Sequence, residues 1–202
     1  MADYLGIVLL VLLSVDARAG LLLEGARPYI SLIDVSNGGR WGDWAWPEMC
    51  PEGFYANGVS FKVEPPQGSH RDDTALNGIR LHCFQGKAQD SMYTVESQSG
   101  KWGIWSQPKW CPHYGYLVRF SLRVQPPQHG FLHDNLAATN ARFTCSGGET
   151  LEPPGPDWGE WGVWSQSCTK GICGIQTRQE APRGMGKDDT ALNDVRFFCC
   201  NH

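Results

Sequence analysis

Three stretches of this chain are written almost alike: Asp72 to Cys83 (DDTALNGIRLHC), Asp134 to Cys145 (DNLAATNARFTC) and Asp188 to Cys199 (DDTALNDVRFFC). Each is a polar turn of Asp, Asn and Thr that runs into an alternating strand ending on cysteine. A threefold internal repeat restricts the fold more than any bulk property does. Every copy must form the same unit, and a unit this small cannot bury its apolar face without its neighbours.

The rest of the chain keeps the same period. A tryptophan box opens each copy: WGDWAWPEMC from Trp41, WGIWSQPKWC from Trp102 and WGEWGVWSQSC from Trp158, which together hold all nine tryptophans. A strand that stops at prolines follows, because proline cannot donate to a ladder. In the first two copies Val59, Phe61, Val63 and Phe120, Leu122, Val124 alternate with polar residues, as on a half-buried strand. The third copy keeps Ile175 but has Thr177 and Gln179 at the apolar positions, so its share of the core should be poorer. Parity in the closing motif puts Ile79, Leu81 and Cys83 on one face, with Ala141, Phe143, Cys145 and Val195, Phe197, Cys199 as their counterparts. Arg80, Arg142 and Arg196 fall on the opposite face.

No segment carries a sustained 3.6-residue apolar period, and 24 glycines and 13 prolines interrupt every short run. The pattern predicts an all-β protein of three small antiparallel sheets packed about a shared axis. Its repeats span about 36–97, 98–152 and 153–200, within one domain from 29 to 202 and after a tether at 20–28. The tryptophans are expected to wedge the sheets together in the core. Two other roles fit them: a stacking platform for sugar rings at Trp41, Trp44, Trp158 and Trp161, and a W-x-x-W spacing that resembles the C-mannosylation acceptor of thrombospondin type 1 repeats.

Leu5 to Val15 is an apolar run too short to span a bilayer, followed by the small-x-small site Ala17-Arg18-Ala19, which predicts a signal peptide over 1–19 and a secreted, extracellular protein. Eight cysteines, an even number, then predict four disulfides in an oxidising compartment. The repeat suggests Cys50 with Cys83, Cys111 with Cys145, Cys168 with Cys199 and Cys173 with Cys200; exchanging partners between the last two pairs is the alternative. Cys199 and its neighbour Cys200 cannot both face inward. Without C-x-x-C pairs or histidines at ligand spacing, no metal or cofactor is expected. The net charge of -4, with basic residues scattered, argues against a nucleic-acid surface, and no later segment is long and apolar enough to cross a membrane.

The tryptophan boxes and the D-D-T-A-L-N-x-x-R-x-x-C motif resemble the vitelline membrane outer layer protein 1 family, over about Tyr29 to Cys200. The resemblance implies a type I β-prism, three four-stranded Greek-key sheets about a pseudo-threefold axis. It further implies a structural component of an egg vitelline membrane-like extracellular matrix or secretion, with glycans or glycoproteins as partners. A lysozyme-like transferase activity making N-acetylchito-oligosaccharides is the alternative the resemblance offers. Such an enzyme needs a carboxylic acid and a second carboxylate close by, for which Asp72 and Asp188 are the catalytic candidates. The competing role for these turn aspartates is to cap local backbone and to pair with Arg80, Arg142 or Arg196. In the second copy Leu136-Ala137-Ala138-Thr139 replaces the T-A-L-N of the others, so any site built on that turn is expected at the first or third copy.

Overall fold

The computed structural model describes residues 27–64, 76–86, 92–125, 137–179 and 192–201. In chain order their strands are β1 (Ser31–Ile33), β2 (Asp43–Trp44), β3 (Glu48–Met49), β4 (Tyr55–Val63), β5 (Leu76–Phe84), β6 (Tyr93–Glu96) and β7 (Ile104–Trp105). There follow β8 (Lys109–Trp110), β9 (Leu117–Val124), β10 (Ala138–Cys145), β11 (Thr150–Leu151), β12 (Glu160–Trp161), β13 (Gly171–Gln179) and β14 (Asp194–Cys200). The long strands are the proline-ended strand and the closing motif of each repeat, paired antiparallel as β4–β5, β9–β10 and β13–β14.

Three antiparallel sheets result, ordered β6-β5-β4-β7, β11-β10-β9-β12 and β1-β14-β13-β2, with β8 also on β4 and β3 also on β13. The first two are Greek keys in which the strand after a three-strand meander returns beside its first member. The third repeats that order across the chain ends, since β1 pairs with β14 and β2 with β13. Each sheet therefore takes its long strands from one repeat and its box from the next, and the third sheet takes its box from the beginning of the chain. The spatial units are offset by one box from the paragraphs visible in the sequence.

The inner faces meet in one core. Phe61 and Ile79 from the first sheet, Phe120 and Phe143 from the second, and Ile175 and Phe197 from the third are all at most 1% exposed. At its centre the Phe197 ring lies 4.7 Å from Phe120 and 5.4 Å from Phe143, both edge-to-face, a geometry that adds roughly 0.5–1.5 kcal/mol per pair beyond burial. Near the axis the opening residues of the motif strands bond one to another: the Leu192 amide donates to the Leu76 carbonyl and the Ala138 amide to the Leu192 carbonyl, each at 2.8 Å. Thr177 and Gln179 are buried as the parity demands, and they serve a polar seam instead of an apolar one. Thr177 Oγ1 donates to the Gln98 carbonyl at 2.7 Å and Gln179 Nε2 to the Asn77 carbonyl at 3.0 Å, tying the third sheet to the chain after β6 and to β5 of the first.

The cysteines pair as Cys50–Cys83, Cys111–Cys145, Cys168–Cys199 and Cys173–Cys200. Because of the box offset, the first three run between sheets. The amides of Cys50, Cys111 and Cys168 bond to Cys173 of β13, Asn57 of β4 and Val118 of β9, while their sulfur partners lie on β5, β10 and β14 of the next sheet. These bridges close a ring around all three sheets. Cys173–Cys200 instead joins neighbouring strands of one sheet, inside a second apolar cluster with Tyr55 and Phe198. Arg27, in the stretch expected to be a tether, is only 8% exposed and donates to the carbonyls of Pro51 at 2.9 Å and Phe54 at 2.5 Å.

Candidate functional site

No tryptophan belongs to the buried core, which corrects the wedge expected from the sequence. The box runs along the edge of a sheet and lays its side chains over the outer face, where they meet the motif arginines. The guanidinium of Arg80 lies 3.9 Å from the Trp105 ring centre, that of Arg142 4.4 Å from Trp161 and that of Arg196 4.3 Å from Trp44. Cation–π pairs of this kind contribute roughly 0.5–2 kcal/mol, more as water is excluded. The one ion pair among the described residues reinforces the first stack: Arg80 Nε donates to Glu96 Oε2 at 2.7 Å. The motif arginines thus bind an indole delivered by the next repeat, which the sequence alone did not suggest.

The first tryptophan of each box points away. It precedes a glycine at positive φ, Gly42 (79°), Gly103 (95°) and Gly159 (94°), where the chain turns tightly against the sheet. At Gly103 a Cβ would come within 2.6 Å of the Val63 backbone. This turn leaves Trp41, Trp102 and Trp158 exposed by 47%, 54% and 37%. An indole with half its surface in water has a free apolar face, and such a face fits the C–H side of a pyranose ring.

The four tryptophans singled out from the sequence therefore divide. Trp41 and Trp158 are exposed platforms, whereas Trp44 and Trp161 are half-buried in arginine stacks. Trp41 and Trp44 flank the third sheet, Trp158 and Trp161 the second, so the four do not converge on one cleft. Trp102 belongs with Trp41 and Trp158 and was signalled by the repeat. Asp72 and Asp188 lie outside the described residues.

Two titratable groups stand out that motif reasoning passed over. His82 lies on the outer face of β5 beneath the Trp110 ring, 5.1 Å away, with Nε2 2.8 Å from Ser60 Oγ. Burial, aided by the charge of Arg80, lowers its pKa from 6.5 to about 4, so the ring is neutral near pH 7. Asp194 opens β14 at the position held by Gly78 and Asn140 in the other copies, a difference readable from the repeats. Burial raises its pKa from 3.8 to about 6, although its Oδ1 accepts the Val195 amide at 2.8 Å. It is packed against Gly38, where a Cβ would approach Oδ1 to 2.1 Å. The altered second turn is served differently: Thr139 Oγ1 donates to the Trp158 carbonyl at 2.8 Å.

Among the described residues no group of three or more His, Cys, Asp or Glu is placed to hold a metal ion, and no helix is long and apolar enough to cross a membrane.

Solved structures share this architecture at low sequence identity. A mannose-specific jacalin-related lectin from Morus nigra, in complex with mannose, superposes with a TM-score of 0.54 at 12% identity over 88% of this chain and 97% of its own. Calystegia sepium agglutinin gives 0.53 at 15% identity over 86% and 97%. These likenesses show the fold, a β-prism with pseudo-threefold symmetry. Relatives by sequence are nearer. The vitelline membrane outer layer protein 1 homolog of Mus musculus is 60% identical over 172 residues, 85% of this chain and 84% of its own. The homolog of Homo sapiens is 57% identical over 192 residues, 95% and 94%. The family model of vitelline membrane outer layer protein I matches residues 31–202, and with relatives this similar over nearly the full length, the chain belongs to that family.

Proposed function

We propose that this protein is a secreted, disulfide-locked structural component of an extracellular matrix or secretion, and that it holds glycans or glycoproteins on its exposed box tryptophans. The observation that carries this reading is the repeated exposed indole. Trp41, Trp102 and Trp158 each stand on a rigid glycine turn at the same place in three boxes, and so offer three similar platforms on one body. Three equivalent weak sites on a rigid scaffold suit multivalent attachment, where avidity exceeds the affinity of any one site. The ring of inter-sheet disulfides suits a protein that must persist outside the cell. Family membership and a fold shared with lectins agree with the reading.

The test is titration of the intact protein with N-acetylglucosamine hexamer by calorimetry, with mass spectrometry of the glycan afterwards. Binding without new products, weakened in Trp41→Ala, Trp102→Ala and Trp158→Ala, is the expected result. Longer oligosaccharides would instead establish the transferase, and Asp72→Asn and Asp188→Asn would then decide whether those carboxylates act. No binding to the hexamer or to any glycan of a mixed array would remove the glycan-holding role.

A further inference from the structure

The three outer faces are alike in design but not in charge. On the second sheet the stack extends into a five-membered ladder. Arg119 lies 4.9 Å from the Trp164 ring, Arg142 4.8 Å from Trp164 and 4.4 Å from Trp161, and Arg123 5.7 Å from Trp161. Three cations alternate with two indoles along one face, because the third box is one residue longer and brings a second tryptophan over β9 and β10.

On the other two sheets a carboxylate lies nearer the motif arginine. Arg80 on the first sheet pairs with Glu96, and Arg178 and Arg196 on the third lie in the field of Asp194. The second sheet has Asn140 at the Asp194 position; among the described residues Arg119, Arg123 and Arg142, like Arg178 and Arg196, have no carboxylate within 4.0 Å, and they also lack the nearby Asp194 charge. Its nearby acids are otherwise disposed: Glu152 receives the Asn140 side chain at 3.5 Å and Glu160 is exposed beside the box. Two of the arginines are held by Nε, Arg119 on Thr144 Oγ1 at 3.2 Å and Arg123 on the Gly159 carbonyl at 3.0 Å. Arg142 Nε is buried between the indoles without a hydrogen-bond partner. Among the described residues the positive face is thus pre-organised and without an ion pair, on a protein whose net charge is -4.

We propose that the outer face of the second sheet binds an acidic polysaccharide, its guanidiniums pairing with sulfate or uronate groups and its indoles covering the sugar rings between them. Guanidinium forks match planar or tetrahedral oxyanions, while stacked rings supply the apolar half of sugar recognition. The inference takes from the glycan-holding reading only that the occupant is a polysaccharide. It concerns a different surface from the exposed Trp41, Trp102 and Trp158.

The probe is a heparin oligosaccharide, titrated in parallel with N-acetylglucosamine hexamer into the intact, disulfide-bonded protein. With three charge contacts, affinity for heparin should fall by up to about 20- to 40-fold between 50 and 200 mM NaCl. Arg119→Gln/Arg123→Gln should lose at least about tenfold and show a flatter salt dependence, whereas Lys62→Gln on the first sheet and Arg178→Gln on the third should stay within about twofold. Absence of heparin binding at 50 mM NaCl, or a second-sheet variant that binds like the parent, overturns the proposal. Should that variant not fold, amide and indole N–H shifts of the unaltered protein decide: changes centred on Trp161, Trp164 and Arg142 support the site, and changes centred on another sheet overturn it. Binding of the hexamer without heparin overturns this inference and spares the broader reading. Heparin binding without the hexamer supports it and removes the neutral-sugar platforms.

Discussion

The disulfides permit a quantitative test of how this chain is stabilised. Cys50–Cys83 and Cys111–Cys145 span 33 and 34 residues in separate parts of the sequence. Chain-entropy reasoning assigns each about 3.7 kcal/mol through restriction of the unfolded chain. Cys168–Cys199 and Cys173–Cys200 span 31 and 27 residues, but they overlap. With one in place, the other closes only the five residues from Cys168 to Cys173 plus the one from Cys199 to Cys200. A loop of about six residues is worth only about 2.2 kcal/mol. Paired replacement by alanine should therefore cost about 1.5 kcal/mol less for Cys173/Cys200, or for Cys168/Cys199, than for Cys50/Cys83. Removing all four overlapping cysteines should cost about 6 kcal/mol, more than the sum of the two separate losses. All eight residues are at most 5% exposed, so the packing losses are similar and largely cancel in the differences. Urea unfolding under non-reducing conditions, with slopes compared for changes in unfolded-state compactness, gives the values. If Cys173→Ala/Cys200→Ala costs as much as Cys50→Ala/Cys83→Ala, or if the quadruple replacement is additive, the loop argument is wrong and native-state contacts dominate.

Three further outcomes are expected. His82 takes up a proton only in the unfolded chain between pH 6.5 and about 4, so it lowers stability as pH falls; Asp194 keeps its proton in the fold up to about pH 6, so it lowers stability as pH rises from 3.8. The two slopes oppose each other across pH 4–6. Asp194→Asn should leave stability rising with pH and His82→Gln leave it falling, each by about 1.5–3 kcal/mol over its window, and urea midpoints parallel to the parent's would contradict this. Gly103→Ala should cost about 2–4 kcal/mol, because φ is 95° and the new Cβ meets backbone at 2.6 Å, while Gly86→Ala, at φ 61° with open space around it, should cost only about 1–2 kcal/mol; equal shifts in melting temperature would sink the comparison. Thr177→Val removes the donor to the Gln98 carbonyl across the polar seam and should destabilise by about 1–2 kcal/mol in spite of its added apolar surface, so a gain in chemical stability would refute that role.

Much of the architecture was legible because strand parity is local. The inward Ile79, Leu81 and Cys83 and the outward Arg80 follow from a two-residue period, and the three copies repeat the message. The box offset was not legible. A two-residue strand such as Ile104–Trp105 has too little local pattern to name its partner, and it is placed by tertiary pairing with β4. Nor does an indole announce which side of a sheet it covers: composition argued for the core, and geometry put Trp44, Trp105 and Trp161 outside, where arginines on the polar face supply the better partner. The candidate surface was half visible. Trp41 and Trp158 were named as a sugar-stacking platform, but the arginine–indole ladder of the second sheet depends on Arg119, Arg123, Arg142, Trp161 and Trp164, whose contacts only the fold supplies.

The pairing of β1 with β14 and of β2 with β13 also sets an order of events during synthesis. The first and second sheets have all their strands once their own long pair and the following box have emerged. The third sheet needs both the earliest and the latest residues made. At about 5–20 residues per second, the first box waits on the order of ten seconds or more for the strands it will cover. Cys83, the sulfur partner of Cys50, is made long before β13, which positions the Cys50 backbone. A chain stopped before β13 would leave two sheets formed, one box without a sheet, and an inner face open to water. The seam that closes the prism is therefore also the last part of the fold that synthesis can complete.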